Sequence, residues 1–279
     1  MTEPNLRPPR QRSFPWLALA IVAALAAAGW YGCRQWQARQ AAPPVAAAAP
    51  QAPVAEPAAE PAGPAHPIEP DPAAPALPAL QESDAAVAAA IDGLAPRAQW
   101  QRFLVPDGLV RRVVATVDNL PRSHAPARIW PVQRTPPKLA VEGEGDALRL
   151  APANAQRYTP FVQFVQSIDP ARAAAVYRQL YPLFQQAYEE LGYPHRHFND
   201  RAVRAIDDLL GTPEPARPLA LKLVEVRGSA SEQPWLRYEY ADPELERLHA
   251  GQKILLRVGP DHAKALKAWL ARLRAGIAG

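Results

Sequence analysis

The chain has 279 residues, of which 34 are proline, 31 are Lys or Arg and 27 are Asp or Glu, for a net charge of +4. Proline exceeds twice its usual share of ~5%, and a single cysteine excludes both a disulfide framework and a Cys-based zinc site. The arginines are interleaved with acids, without the basic run that would point to nucleic acid.

Charge and hydropathy divide the chain. A short tail, residues 1–13, carries Arg7, Arg10 and Arg12. Residues 14–33 hold no charge, and at ~1.5 Å per residue a helix of that length spans about 30 Å, the thickness of a hydrocarbon core. Trp16 stands near one end and Trp30 and Tyr31 near the other, where amphipathic rings favour the interface. The exit, Trp30-Tyr31-Gly32-Cys33, is too bulky for a cleaved signal or a lipidated Cys33, so the segment reads as a retained single-pass anchor. Three arginines before it against Arg34 and Arg39 after it predict a cytoplasmic N-terminus. Everything downstream is then expected outside a bacterial inner membrane, in the periplasm.

Residues 34–78 read as a linker. Positions 41–78 alone hold 12 prolines, 15 alanines, four acids and no Lys or Arg. Such a stretch buries too little apolar surface to offset its ordering entropy, and proline favours an extended polyproline II stalk.

Residues 79–279 predict a mainly helical domain with one or two small β-hairpins. Ser83 is placed to cap a helix over 85–94. Asp107 is placed to cap the next, where Leu109, Val110, Val113, Val114, Val117 and Leu120 follow helical spacing up to Pro121. Leu139-Ala-Val141 and Leu148-Arg-Leu150 flank an acidic tip and read as a hairpin. A helix is expected over 152–167. Asp169-Pro170 opens a long one to Leu191, closed by Gly192, with Val176, Leu180, Phe184, Ala187 and Leu191 on its buried stripe and a kink at Pro182. Asn199 is placed to cap a helix to Leu210, before Gly211. Residues 219–226 and 234–240 read as two strands joined at Gly228. Asp242-Pro243 opens a helix ending before Gly259. Pro260 opens the last, with Leu266, Leu270, Leu273 and Ile277 on one face and Lys264, Lys267, Arg272 and Arg274 largely opposite.

Several runs together resemble a bacterial family known as domain of unknown function 3014. They are Val117-Asp-Asn-Leu-Pro-Arg122, Asn154-Ala-Gln-Arg-Tyr158, Leu180-Tyr-Pro-Leu-Phe184, Leu191-Gly-Tyr-Pro194, Phe198-Asn-Asp-Arg201 and Ala250-Gly-Gln-Lys-Ile-Leu-Leu-Arg257 with Gly259-Pro260. The resemblance implies an inner-membrane anchored chain with a Pro-rich spacer, and it implies no reaction, cofactor or catalytic residue.

No serine stands in G-x-S-x-G or S-x-x-K, which argues against a serine hydrolase. His195-Arg-His197 with Asp200 offers metal-ligand types in six residues, without the H-E-x-x-H pattern; exposed loop histidines are the simpler reading. Asp118-Asn119 and Asn199-Asp200, each at a helix boundary and near Arg122 and Arg201, are the polar pairs with most chemical scope. With Arg157, Gln252 and Lys253 they are candidates for binding a peptide or glycan; equally, they are candidates for caps and a buried ion pair. The expected role is therefore binding or scaffolding of a periplasmic protein or wall component, with no cofactor. The competing expectation is an enzyme acting on peptidoglycan or a periplasmic peptide through Asp118 and Asp200, and a further one is metal sensing at His195 and His197.

Overall fold

The structure, a computed structural model, describes residues 63–69, 76–215, 218–224 and 238–278. The anchor expected at 14–33 and most of the Pro/Ala stretch lie outside the described residues; among the described residues no helix is long and apolar enough to cross a membrane. All described residues fall within the unit Pro61–Gly279. They are mainly helical, with two small antiparallel hairpins.

Helices α1 (Asp84–Asp92) and α2 (Arg97–Trp100) lead into α3 (Leu109–Asn119). The apolar stripe of α3 buries Leu109, Val110 and Val114, as its spacing predicts. Its cap differs from expectation. Gly108, not Asp107, occupies that position, at φ +61°, a left-handed conformation that glycine adopts without a Cβ clash. Asp84 of α1 accepts the Gly108 N–H at 3.0 Å and so ties the start of α3 to α1, while α3 has no side-chain cap. Ser83 precedes α1 but does not cap it; its hydroxyl donates to the Leu80 carbonyl at 2.9 Å.

Residues Pro152–Tyr158 form a 3-10 turn, and the helix expected over 152–167 shortens to α4 (Thr159–Ser167). The cause is Asn154, drawn inward to accept the Ala140 N–H at 3.1 Å and to donate to the Arg257 carbonyl at 2.8 Å. Helix α5 (Pro170–Glu190) starts as expected: the Asp169 carboxylate accepts the Arg172 N–H at 2.9 Å, and Pro170 fills the first position, where no N–H is needed. It runs on through Pro182, which is exposed. Leu180, Leu183, Phe184 and Ala187 are buried against α3, each large side chain contributing about 1.5–3 kcal/mol. Leu191, expected on that stripe, is 44% exposed, because the helix ends one residue earlier and Gly192 turns the chain at φ +112°. Tyr188 takes the buried place, stacked on Tyr193 with ring centroids 4.6 Å apart.

Helix α6 (Phe198–Leu210) begins before Asn199, so Asn199 lies in its first turn and is not its cap. Strand β1 (Val141–Glu142) pairs with β2 (Arg149–Leu150), and β3 (Leu221–Leu223) pairs with β4 (Tyr238–Tyr240), both antiparallel. The turn expected at Gly228 lies outside the described residues. The Leu150 N–H bonds the Leu219 carbonyl at 2.8 Å and the Leu221 N–H bonds the Leu148 carbonyl at 2.9 Å, which joins the two hairpins. Their shared face, with Leu221 and Tyr240 at its centre, packs on Leu256.

The helix expected from Asp242 to Gly259 is broken in two, α7 (Pro243–Glu246) and α8 (Ala250–Arg257). His249 is extended between them and forms a capping box with Gln252. Two N–H groups of the first turn of α8, those of Ala250 and Gly251, donate to the Arg122 and Leu120 carbonyls at 2.7 and 3.0 Å. Donors orphaned at one helix start thus satisfy acceptors just past the end of α3. The last helix, α9 (Pro260–Ile277), lies across α4, α5 and α6. A Cβ on Gly276 would stand 2.7 Å from the Ala174 Cβ, so α5 and α9 approach at small residues. Ile277 closes a cluster with Ala174, Val203 and Ile206. Lys267 and Arg274, expected on the solvated face, reach back to the domain instead. Lys267 donates to the Thr212 carbonyl at 2.9 Å, and Arg274 pairs with Asp207 at 2.5 Å.

Candidate functional site

The first turn of α6 carries side chains that face two ways. Asn199 is fully buried. Its Oδ1 accepts the Tyr177 hydroxyl at 3.0 Å, and its Nδ2 donates to the Ile277 carbonyl at 2.7 Å and the His66 carbonyl at 2.9 Å. The next residue, Asp200, accepts the Ala65 N–H on Oδ2 at 3.1 Å and the His66 N–H on Oδ1 at 2.8 Å. Residues 63–69, which composition alone assigns to the linker, therefore lie on the domain as a strap gripped by its backbone. The His66 ring makes one further bond, from Nδ1 to the Ala278 carbonyl at 2.8 Å. The burial of Tyr177 pushes its phenol well above the usual range, which keeps its hydroxyl a donor to Asn199.

Arg201 points the other way, to Asp118 at the end of α3. The Asp118 carboxylate, 5% exposed, lies 2.5 Å from Arg122 Nη2 and 3.2 Å from Arg201 Nε. The Arg201 contact is an ion pair without hydrogen-bond geometry at Nε; Arg201 Nη2 donates to the Asp118 backbone carbonyl. Tyr193 completes the group, its hydroxyl accepting from Arg122 at 3.1 Å and lying 3.5 Å from Asp118 Oδ2. The Asp118 charge raises the Arg122 pKa. Asn119 takes no part in this cluster and donates to the Ala115 carbonyl one turn back, at 2.7 Å.

The remaining candidates lie elsewhere. Arg157 donates to Asn154 and to the Pro137 and Thr135 carbonyls, each at 2.8 Å, and pins an irregular loop. Gln252 serves the α8 capping box and donates to the Asp208 carbonyl at 2.9 Å. Lys253 pairs with Glu246 at 2.7 Å, and its carbonyl accepts the Tyr240 hydroxyl. So the structure joins Asp118, Arg122 and Arg201 in one cluster, joins Asn199 and Asp200 in a second, and leaves Asn119, Arg157, Gln252 and Lys253 at separate positions. His195 and His197 stand in the turn before α6; both oxygens of Asp200, offered as their third ligand, are taken by the strap. Among the described residues no group of three His, Cys, Asp or Glu is placed to hold a metal ion. An apolar cavity of about 350 Å³ opens between residues 212–215 with Pro218 and Leu219 and the junction of α8 and α9, away from both clusters.

Three participants carry weak sequence signals. His66 is the one histidine in the Pro/Ala-rich stretch. Tyr177 is legible beside the α5 stripe and Tyr193 only as part of the run Leu191-Gly-Tyr-Pro194, and nothing in their spacing pairs them with Asn199 and Asp118.

The class defined here is a mainly helical domain with two hairpins, which grips a short segment of its own chain. The model of a protein family of unknown function, DUF3014, matches residues 109–274. The chain belongs to that family. No curated protein and no solved structure matches it.

Proposed function

We propose that the chain is a membrane-anchored protein of the bacterial cell envelope whose folded region binds a polypeptide partner in the periplasm. The carrying observation is the grip of Asn199 and Asp200 on the Ala65–His66 backbone. An amide and a carboxylate complement one carbonyl and two successive N–H groups, which every non-proline polypeptide offers. The uncharged run at 14–33 supports the anchor, and the Pro/Ala stretch after it supports a stalk that holds the binding region off the bilayer. Binding is favoured over acid–base catalysis because two guanidinium groups hold Asp118 and two N–H groups hold Asp200.

The test is a photo-crosslinking residue placed at Arg204, one turn beyond Asp200, in cells. The expected product is an adduct with an envelope polypeptide that disappears in Asp200→Ala while the chain stays folded. No adduct at Arg204 or at neighbouring positions overturns the binding role. A phosphatase fused at the C-terminus should be active in the same cells; an inactive fusion overturns the periplasmic placement.

A further inference from the structure

We propose that the surface at the first turn of α6 is a recognition site for a bent, proline-flanked polypeptide segment, and that residues 63–69 occupy it as an intramolecular ligand that a partner segment must displace. This rests on the binding role above and adds the site, the chemistry of the ligand and the regulation.

The receptor side is built independently of what it holds. Asn199 is oriented by Tyr177 of α5 and by the Ile277 carbonyl of α9, neither of which belongs to the strap. One amide hydrogen is thereby left for the His66 carbonyl, and Asp200 beside it offers two acceptors. The three bonds read two consecutive residues through their backbone alone. A ligand therefore needs free N–H groups at both central positions and a backbone bent there, so that two successive N–H groups turn to one carboxylate. Pro64 and Pro67 flank the gripped pair. Proline pre-sets extended backbone on each side and lowers the ordering entropy of docking.

The strap itself is held lightly. None of residues 63–69 is buried, and none belongs to the apolar clusters of the domain. Among the described residues its hydrogen bonds to the domain are the three backbone bonds and the His66 ring contact with Ala278. At about 1 kcal/mol net for each such bond, occupancy relies on the tether, which supplies an effective concentration of millimolar order. A partner that makes the same backbone bonds and adds side-chain contacts outcompetes it.

The experiment uses the full chain in detergent micelles and a fluorescent peptide of residues 63–69, read by anisotropy. The double substitution A65P/H66P removes both strap N–H donors and leaves the receptor residues unchanged. The A65P/H66P chain should bind the peptide at least about twofold tighter than the wild type, where a tethered strap at millimolar effective concentration competes. A peptide with proline at the two central positions should not bind it, a control independent of the folding of any variant. Adding D200A to the A65P/H66P chain should abolish binding. Equal affinity in wild type and A65P/H66P, no binding to a folded A65P/H66P chain, or binding indifferent to D200A would each overturn the inference. Because the probe is a piece of this chain, the result does not depend on a cellular partner. Peptide binding as expected, with no adduct in cells, would remove the proposed function and keep the self-occupied site.

Discussion

The Asn199 amide donates to the Ile277 carbonyl at 2.7 Å, which bolts the first turn of α6 to the last turn of α9. The same side chain accepts from Tyr177 of α5, so three helices meet at one buried amide. Asn199→Ala leaves a buried hydroxyl without its acceptor and a carbonyl without its donor. Each orphaned group costs about 1–3 kcal/mol. The expected loss is about 3 kcal/mol, seen as a fall in Tm of roughly 6–12 °C for a domain of this size. An unchanged melting point would mean that the three-helix junction does not carry stability through this residue.

Asp118 is shared unequally by its two arginines. Arg122 is 51% exposed and Arg201 18% exposed on their side chains. Solvent screening leaves the exposed pair worth about 1 kcal/mol or less, whereas breaking a buried pair strands a charge. Arg122→Gln is therefore expected to cost less than about 1 kcal/mol, and Arg201→Gln and Asp118→Asn about 3 kcal/mol each. Denaturant midpoints of the three variants test that order, and equal effects for the two arginines would refute the unequal sharing.

What the sequence revealed of this fold follows the range of the forces involved. The α3 stripe and the Asp169-Pro170 start of α5 rest on neighbours within a turn, and both are legible. Caps read from one residue fail where tertiary bonds compete: Gly108 is served by Asp84, 24 positions away, and Asn199 is turned to Ile277, 78 positions away. The split of α7 from α8 has the same origin, since the α8 donors are taken by carbonyls just past α3. Of the site, the residue types at Asp118, Arg122, Asn199, Asp200 and Arg201 were visible. Their division into two clusters was not, because it depends on successive side chains of α6 pointing about 100° apart around the helix and meeting different partners. The strap was hidden for a different reason. Pro/Ala composition measures how little apolar surface a segment can bury, whereas residues 63–69 dock through backbone bonds that composition does not register.

Gly251 illustrates a helical glycine set by packing. A Cβ there would stand 2.8 Å from Leu209 Cδ2 and 3.2 and 3.3 Å from Leu120 Cδ2 and Cβ. In an open helix, Gly→Ala gains about 1 kcal/mol from propensity. Here overpacking opposes it with about 1–3 kcal/mol, because the Leu209 methyl can swing aside but the Leu120 Cβ moves only with its backbone. Gly251→Ala is expected to lose about 1 kcal/mol net. In a double-mutant cycle with Leu209→Ala, the pair should cost less than the sum of the singles. Strict additivity would show that α8 has room to shift.

Tyr240 sets the alkaline limit. It is fully buried between the hairpins and α8, and its hydroxyl donates to the Lys253 carbonyl at 2.9 Å. Burial raises its pKa to about 12, against about 10 in an unfolded chain. A raised folded value means that the native state holds the proton more tightly than the unfolded state does. The stability this adds is complete below pH 10 and is lost as pH climbs from 10 towards 12. The span amounts to about 3 kcal/mol. At pH 8, Tyr240→Phe should be less stable by about 1 kcal/mol, for the lost hydrogen bond. Above pH 10 the wild type loses stability faster than the variant, so the gap closes and then reverses. Unfolding midpoints at pH 8, 10 and 11 measure this, and tyrosinate absorbance at 295 nm should show the Tyr240 phenol ionising only with unfolding. A gap that stays constant across that range would mean that the hydroxyl titrates alike in the folded and unfolded chains, and that burial against α8 does not hold its proton.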